Sequence, residues 1–392
     1  MVSKDAPLYT TNFLLLCASH TLFAASFTMI LPELPAYLTS LGGEDYKGLI
    51  ISLFTITAGA SRPFSGKLTD TVGRIPVIFI GTIVCVICSL LYPFLTTVYG
   101  FLLLRFLHGF STGFKPIAST AYTADIVPEQ RRGEAMGILG ISMNTGSSIS
   151  PPIGSWIAGN WSMEVMFYAS SAVALLSILI LLMLKETLED RQPFHPRLLL
   201  VTKDEVIAPE AIPMAILTGL IYLSFGAMLT IVPDQTVALG MSNKGIFFTS
   251  FTGCSLLSRL VAGTASDRLG RQPVLQLAVF MMIPSLIYMG MVDSSMHLMI
   301  ASGCMGFATG MAAPAVFAWT IDAAGAQRRG VALGTTYIAL EIGIGLGAVL
   351  SAWLYDNDAS RFGITFFWLA GSTLFAFLYL SWYRLYAAKS SS

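Results

Sequence analysis

The sequence has few charged residues: Asp, Glu, Lys and Arg together make up 11% of its 392 residues. A soluble domain carries about 25% charged residues, so this chain lacks the side chains that would cover a water-exposed surface. Its formal net charge is zero, which argues against a nucleic-acid partner. The chain instead has 55% hydrophobic residues and a mean hydropathy of +0.72. These values predict an integral membrane protein.

Cysteine and histidine are also scarce, with five and four residues. All five cysteines lie in apolar runs, and the CxxC spacing of Cys85 and Cys88 is equally that of two small residues in a helix, so neither a disulfide nor a metal framework is implied. The glycine-rich stretch Gly343–Gly347 lacks the strand–turn–helix context of a nucleotide loop. We find no nucleophile–base set, and therefore expect no enzyme activity and no cofactor.

The chain repeats itself at a fixed offset. The Gly, Asp and Arg positions of residues 62–137 recur at 259–334. Gly66 matches Gly263 (263 − 66 = 197), and Asp125 matches Asp322 (322 − 125 = 197). A repeat of such long period indicates two homologous halves.

Twelve apolar spans of about 20 residues, the length that crosses a bilayer, predict an all-α polytopic membrane protein. The spans lie near residues 11–31, 46–66, 75–95, 99–122, 133–156, 163–184, 212–233, 245–264, 273–292, 296–320, 331–354 and 363–386. No small-residue cleavage site follows the N-terminus, so the first span is expected to be a retained helix. The expected domains are a six-helix bundle at 1–185, a cytoplasmic linker at 186–211 and a second bundle at 212–392.

Lys and Arg positions orient the predicted bundle. With the N-terminus inside, cytoplasmic segments hold fifteen of these residues, and outer loops hold three, Lys47, Lys244 and Arg361. The positive-inside rule then places both termini in the cytoplasm.

Two parallel six-helix halves are the architecture of the major facilitator superfamily, and several motifs make the resemblance specific. Residues 66–74, GKLTDTVGR, resemble the family signature between helices 2 and 3, and residues 263–271, GTASDRLGR, resemble its counterpart between helices 8 and 9. Arg105, four residues before Gly109, resembles the helix-4 signature. Residues 32–42, PELPAYLTSLG, resemble the end of helix 1 in the drug–proton antiporter branch. The resemblance covers essentially the whole chain.

The loop signatures imply an inner gate at the cytoplasmic side of both halves. Gly66 and Gly263 are expected to let helices approach closely, and Asp70 and Asp267 to meet an arginine or a helix N-terminus. The predicted gate residues are Gly66, Asp70, Gly73, Arg74, Asp125, Gly263, Asp267, Gly270, Arg271 and Asp322. The alternative is that these are ordinary cytoplasmic arginines with incidental acids.

The fourth span carries a polar stripe, with Arg105, His108, Thr112, Lys115, Ser119 and Tyr122 at the spacing of one helix face. A charge near the bilayer centre costs about 2.5–3.5 kcal/mol, so Lys115 is expected to face a cavity or a partner. Glu341 lies near the middle of the eleventh span. Its repeat mate is Asn144 (341 − 144 = 197), and that of Lys115 is Ala312 (312 − 115 = 197). The scaffold therefore repeats, whereas the buried charges do not.

Three interpretations of Lys115 and Glu341 stay open. They form a structural pair; or Glu341 carries a proton while Lys115 or Arg105 meets the substrate; or both charges bind a zwitterionic or anionic substrate without protons. The predicted cavity residues are Lys115, Glu341, Arg105, His20, Asn144, Tyr337, Thr112 and His108. Ordinary packing is an alternative for both His20 and His108.

Two further features concern the outer side and the direction of transport. Glu33 and Asp234 follow prolines at the outer ends of the first and seventh spans; we expect them to be interfacial, with an outer-gate role as a further hypothesis. Residues 146–155, GSSISPPIGS, resemble an exporter signature through Gly146, Pro151, Pro152 and Gly154, but have Ser150 and Ser155 where it has glycines. The match favours export over a role in helix packing alone.

The sequence thus predicts a proton-coupled secondary transporter, with export of small amphipathic or drug-like molecules favoured. Proton-linked import, flipping of lipid or lysolipid, and a non-transporting receptor or scaffold are the alternatives. The expected energy source is the proton gradient, and the expected partners are a small-molecule substrate, protons and membrane lipid. We expect a monomer in a bacterial inner membrane. The charge of the substrate stays open, because Glu341 suits cations whereas Lys115 and Arg105 suit anions.

Overall fold

The computed structural model describes residues 8–128, 131–200, 206–324 and 328–390, apart from the side chains at 260, 263, 264, 267 and 386–390. Within these residues the regular structure is helical and contains no strand. The predicted all-α fold class is therefore confirmed.

Twelve helices of 18 to 29 residues follow one another in the described part of the chain. They are α1 (Thr11–Ile30), α2 (Lys47–Thr71), α3 (Arg74–Leu91), α4 (Val98–Ile126), α5 (Arg132–Asn160), α6 (Met163–Leu181), α7 (Ile212–Ala238), α8 (Ile246–Leu269), α9 (Arg271–Met291), α10 (Ser295–Ala323), α11 (Arg329–Tyr355) and α12 (Phe362–Ser390). A short helix, Leu34–Ser40, continues α1 after a turn at Leu31–Glu33. Each long helix begins close to the start of a predicted span. Several run past its end, because a helix continues by backbone hydrogen bonding after its side chains become polar.

Eight of these helices, in the described residues, are long and apolar enough to cross a membrane by length and composition alone. The other four, α2, α4, α5 and α8, are just as long but more polar: Arg62 lies in α2, Arg105 and Lys115 in α4, Arg259 in α8, and α5 is rich in Gly, Ser and Pro. Ionisable residues in membrane helices face the protein interior rather than lipid. The ionisable residues of α2, α4 and α8 are therefore expected to face protein rather than lipid.

The chain forms two compact units. Unit 1 comprises Met1–Tyr37 and Leu53–Thr202, and unit 2 comprises Leu38–Ser52 and Lys203–Ser392. In unit 1, α1 packs on α5 and α6, and α3 packs on α4 and α6. In unit 2, α7 packs on α11 and α12, and α9 packs on α10 and α12. These are the equivalent pairs that the sequence repeat predicts.

Glycine allows close helix contacts in each unit. A Cβ at Gly109 of α4 would lie 2.1 Å from the Phe54 carbonyl oxygen of α2, and one at Gly306 of α10 would lie 2.0 Å from that of Phe251 in α8. The two contacts are equivalent in the repeat, because Gly109 matches Gly306 (306 − 109 = 197) and Phe54 matches Phe251 (251 − 54 = 197). A larger side chain would force these helices apart, which explains why both copies have glycine here.

Candidate functional site

The gate residues of unit 1 assemble around Arg74, the first residue of α3. Its guanidinium donates to Asp70 (Nη1–Oδ1 2.9 Å) and to Asp125 (Nε–Oδ2 3.0 Å). Asp125 also accepts a hydrogen bond of 2.6 Å from the Thr187 hydroxyl. One arginine therefore joins the ends of α2 and α4 to the first residues after α6.

Glu186, which the sequence analysis did not single out, caps α3. Its carboxylate accepts from the backbone N–H groups of Arg74 (3.1 Å) and Ile75 (3.0 Å), and from two further backbone N–H groups in its own loop (2.8 and 2.9 Å). A carboxylate in this position satisfies the free N–H groups of a helix start and interacts favourably with the helix dipole. The repeat position in unit 2 is Tyr383 (186 + 197 = 383), so this acidic cap is not duplicated.

Gly73 makes room for that carboxylate. Its φ of +138° lies where side-chain-bearing residues are rare. A Cβ at Gly73 would lie 2.6 Å from Oε2 of Glu186. Both the backbone conformation and the lack of space therefore require glycine.

We expect Gly73→Ala to displace the Glu186 carboxylate and lower the free energy of unfolding by about 1–3 kcal/mol. The melting temperature of the purified protein measures the effect. Gly140→Ala on α5 is the matched control, because a Cβ there would meet nothing within 4 Å. Equal melting temperatures for the two variants would contradict the requirement for glycine.

Arg271 has the equivalent place in unit 2, at the start of α9. It donates to Asp322 (Nε–Oδ2 3.0 Å) and to the Ser266 hydroxyl (3.2 Å). Gly270 before it has a φ of +92°, which again favours glycine. The arginine–aspartate contact between the third and fourth helices is thus present in both repeats.

The prediction of close helix packing at Gly66 is not met. A Cβ at Gly66 would meet no atom of the described residues within 4 Å. The close approach between α2 and α4 occurs instead at Gly109, where the helices cross. Gly263 and Asp267 were also predicted as gate residues, but they lie outside the side chains that the structure describes.

The polar stripe of α4 lies on its buried face. All six residues are less than 9% exposed; they are Arg105, His108, Thr112, Lys115, Ser119 and Tyr122. The stripe therefore faces protein, as the cost of exposing charge to lipid requires.

Arg105 and His108 belong to one chain of polar contacts inside unit 1. The Arg105 guanidinium lies 4.6 Å from the ring centroid of Phe54, and its Nη1 is 3.4 Å from the Tyr92 hydroxyl. The same hydroxyl is 3.1 Å from Nδ1 of His108, whose Nε2 is 3.3 Å from the Cys85 sulfur. Arg105 thus contacts α2 and the turn after α3, and His108 contacts α3 and the same turn.

Lys115 lies in a closed cage of neutral acceptors. Its Nζ donates to the Ser19 carbonyl (3.2 Å), the Ser19 hydroxyl (3.0 Å) and the Ser177 hydroxyl (2.6 Å), and is 4.8 Å from the ring centroid of Phe23. The side chain is fully buried, and of the two alternatives expected for it, a cavity or a partner, unit 1 supplies partners. The partners are two serines, Ser19 on α1 and Ser177 on α6, whereas the sequence had suggested Glu341. The predicted pairing with Glu341 involves both units and stays a prediction.

Three other predicted cavity residues belong to unit 1. His20 of α1 is 3% exposed and within electrostatic range of Lys115. Thr112 donates from its hydroxyl to the Gly109 carbonyl within α4 (3.2 Å), and Asn144 is half-buried on α5. A role for them in a transport cavity stays a prediction.

Unit 2 contains a buried carboxylate beside aromatic side chains. Glu341 of α11 is 7% exposed. Tyr222 of α7 lies within electrostatic range of Glu341, Tyr337 and Arg259, and Tyr337 stacks on Phe317 with ring centroids 4.6 Å apart. Arg259 was not among the predicted site residues. The structure adds it to the surroundings of Tyr222, so the unit with Glu341 also has a cation in its membrane region.

The exporter-like segment of α5 packs against α1 through its glycines. A Cβ at Gly146 would lie 2.2 Å from the Thr21 carbonyl oxygen, and one at Gly154 would lie 2.0 Å from that of Met29. Pro151 and Pro152 both lie inside the continuous helix. The segment therefore brings two backbones into direct contact.

The two serines that depart from the exporter pattern bind α1 and its extension. The Ser150 hydroxyl is 2.7 Å from that of Thr28, and the Ser155 hydroxyl donates to Oε1 of Glu33 (2.7 Å). Glu33 is only 5% exposed, and the serine at position 155 supplies one hydrogen-bond donor to its buried carboxylate. Its expected interfacial position and its role in an outer gate stay predictions.

Asp234 forms an ion pair with Lys47 in unit 2, with Nζ 2.5 Å from Oδ2. The Tyr355 hydroxyl is hydrogen-bonded to Asp234, and Nζ of Lys47 lies 5.9 Å from the Tyr355 ring centroid. Lys47, which the sequence placed in an outer loop, is the first residue of α2 and is 8% exposed. A cleft of about 440 Å³ in unit 2 is lined in part by Lys47 and Tyr355.

Comparisons with known proteins agree with this architecture. The family model described as Major Facilitator Superfamily matches residues 16–242 and 214–392. The chain is 26% identical to multidrug resistance protein MdtG of Klebsiella pneumoniae (strain 342), over 97% of this chain and 95% of that protein. It is 29% identical to the multi-drug resistance efflux pump PmrA homolog of Lactococcus lactis subsp. lactis (strain IL1403), over 74% of this chain and 75% of the homolog.

Solved structures share the fold. A D-xylose-proton symporter superposes with a TM-score of 0.77 at 16% identity, covering 94% of this chain and 96% of that one. The human organic anion transporter MFSD10 (TETRAN) superposes with a TM-score of 0.73 at 19% identity, covering 94% of this chain and 98% of the human one. At such low identity these likenesses concern the fold alone.

Proposed function

The chain belongs to the Major Facilitator Superfamily, and on that basis we propose that it is a proton-coupled exporter of small amphipathic or drug-like molecules, working by alternating access. Relatives named as multidrug resistance proteins support export, as does the glycine-mediated contact between α5 and α1. The observation that carries the proposal is Glu341, a carboxylate only 7% exposed within a membrane-spanning helix.

In this proposal Glu341 is the group that binds and releases the coupling proton. An ionisable residue inside a membrane segment is costly and marks an ion or proton pathway more often than a packing role. Arg259 in the same unit is within electrostatic range of Tyr222, as is Glu341, and a cation of this kind favours the anionic form of the carboxylate. A membrane potential adds about 2.3 kcal/mol per charge per 100 mV, so one proton per cycle is enough to drive accumulation.

The inner-gate contacts of Arg74 and Arg271 act as the latches of the cycle in the same proposal. Breaking and re-forming them at each turnover opens and closes the cytoplasmic side. We place the protein in a bacterial inner membrane as a monomer surrounded by lipid, with both termini in the cytoplasm and no cofactor. The proton gradient is its energy source.

Reconstitution of the purified protein into liposomes tests the proposal. Three probes cover the open question of substrate charge: ethidium as a cation, carboxyfluorescein as an anion and chloramphenicol as a neutral molecule. We expect an imposed pH gradient to move at least one probe against its own gradient and opposite to the protons. Movement in the same direction as protons would indicate import. Transfer of a fluorescent lysolipid alone would indicate a flippase, and no movement would favour a receptor or scaffold.

We further propose that the Lys47–Asp234 pair closes the outer side. Breaking a buried ion pair by removing one partner costs about 3–5 kcal/mol, so Lys47→Asp and Asp234→Lys alone should each disturb closure and slow gradient-driven transport about tenfold. The double variant restores the attraction and should recover most of the rate. The exposed pair Arg361–Asp356 (3.0 Å) is the control, and swapping its charges should change little. A double variant as slow as the single ones would argue against the pair as an outer latch.

A further inference from the structure

The hydrogen bonds around Lys115 can be assigned donor by donor. A charged ammonium donates to the Ser19 carbonyl, the Ser19 hydroxyl and the Ser177 hydroxyl. The Ser177 hydroxyl donates to the Ser19 carbonyl (2.8 Å), and the Ser19 hydroxyl donates to the Ser177 carbonyl (3.2 Å). Every donor then has an acceptor, so the cage satisfies the charged form.

The same cage also satisfies the neutral amine. That form has two N–H donors and one lone pair, and the Ser177 hydroxyl oxygen is 2.6 Å from Nζ. A hydroxyl hydrogen rotates to suit its surroundings, so Ser177 can donate to the lone pair instead of to the Ser19 carbonyl. The two N–H groups then donate to the Ser19 carbonyl and hydroxyl. Rotation of one hydroxyl therefore lets the same arrangement of heavy atoms satisfy either protonation state.

The surroundings of Lys115 are also suited to proton release. Five side chains face Lys115 from other helices: Ser19, His20 and Phe23 on α1, Cys85 on α3 and Ser177 on α6. The ionisable groups that precede it on α4 are Arg105 and His108. None of these is a carboxylate. If an acid were its partner, loss of the lysine proton would leave an unpaired anion in the membrane, which is costly. With neutral partners, release leaves no unpaired charge.

We propose that Lys115 is a second proton-binding site of the transporter, in addition to Glu341. The inference rests on the proposed proton-coupled function. The ammonium passes one proton to a water molecule that enters the site during the transport cycle, giving the neutral amine and a hydronium ion. The amine lone pair takes a proton back in the return step, and no other covalent bond changes.

Replacing the lysine with a cation that keeps its proton is the first test. Arginine stays protonated in proteins, so Lys115→Arg retains the positive charge but cannot release and rebind a proton. Lys115→Met removes both the charge and the proton exchange. We expect both variants to lose transport of the probe driven by a pH gradient at least tenfold, while counterflow of the same probe without a gradient changes less than threefold. Wild-type transport by Lys115→Arg would show that a fixed charge suffices and would overturn the proposal.

Ser177→Ala provides a test that keeps the lysine in place. The substitution removes the hydroxyl that accepts a hydrogen bond from the ammonium and donates one to the neutral amine. The pH dependence of gradient-driven transport should therefore shift. Ser170→Ala on the same helix is the matched control, because Ser170 bonds to Ser26 and Ser89 rather than to Lys115. Identical pH profiles for the two serine variants would count against the proton site.

A direct readout separates this inference from the proposed function. In protein labelled with ¹³C at lysine Cε, the Lys115 signal is identified by its loss in Lys115→Arg. We expect it to shift with pH across the range in which the protein stays folded. A signal fixed at the ammonium position would overturn the inference even if the wild type exports ethidium. A titrating signal in a protein that moves none of the three probes would overturn the function and leave the proton site standing.

Discussion

Replacing Glu341 with glutamine is expected to abolish transport driven by a pH gradient while preserving exchange of the substrate across the membrane. Glutamine has the size of glutamic acid and keeps a carbonyl acceptor, but it neither binds nor releases a proton at physiological pH. If Glu341 carries the coupling proton, the loss should be on the order of 100-fold, which corresponds to about 2.7 kcal/mol at 1.36 kcal/mol per factor of ten. Proteoliposomes loaded with a probe that the wild type transports measure both activities.

The control for this variant is Glu44→Gln, because Glu44 also belongs to unit 2 but is exposed. It should behave as the wild type in both assays. Loss of gradient-driven transport and exchange together, in a Glu341→Gln protein that still folds, would assign the carboxylate to substrate binding. Unchanged gradient-driven transport would remove Glu341 from the coupling mechanism.

The second large effect is expected from Glu186→Ala. Alanine leaves the N–H groups of Arg74 and Ile75 without the carboxylate that now accepts from them. Loss of a helix cap costs about 0.5–2 kcal/mol, and loss of the charge at a helix N-terminus adds about 0.3–1 kcal/mol. We expect a lower melting temperature and a slower transport cycle, because Arg74 begins the helix that this carboxylate holds.

Hydrogen exchange locates the effect of Glu186→Ala within the chain. The amides of Arg74 and Ile75 should exchange faster in the variant, whereas those at the start of α9 in unit 2, which has no acidic cap of this kind at the repeat position, should be unaffected. Glu189→Ala is the control, because Glu189 is exposed three residues further along the same loop. Unchanged protection at Arg74 and Ile75 would contradict the capping role.

The scaffold was predictable because its signals are local and repeated. Apolar spans located the twelve helices, and the offset of 197 (263 − 66) indicated which helix pairs of one unit recur in the other. The burial of the α4 stripe followed from helical spacing and the cost of exposing Lys115 to lipid. The contacts of Arg74 with Asp125, and of Arg271 with Asp322, joined residues that the repeated motifs had already singled out.

The contacts that hold individual charges could not be predicted in the same way. Ser19 and Ser177 are 158 residues apart in sequence, and serines in membrane helices are too common for periodicity to mark these two as partners of Lys115. Glu186 lies in a charged loop, and its capping role becomes visible only in the structure, where its carboxylate occupies the space that Gly73 leaves open. The buried carboxylate of Glu33 accepts from Ser155, which the sequence presented only as a departure from a glycine pattern. Such pairings are set by tertiary packing.

The proposed antiport mechanism requires protons to move in the direction opposite to the substrate. The most direct measurement is the internal pH of proteoliposomes that are loaded with a transported probe and diluted into probe-free buffer, with no pH gradient imposed. The proposed antiport predicts that outward movement of the probe acidifies the interior of wild-type vesicles, and that Glu341→Gln vesicles show no such change. An interior that becomes more alkaline, or one whose pH does not change while the probe leaves, would contradict it.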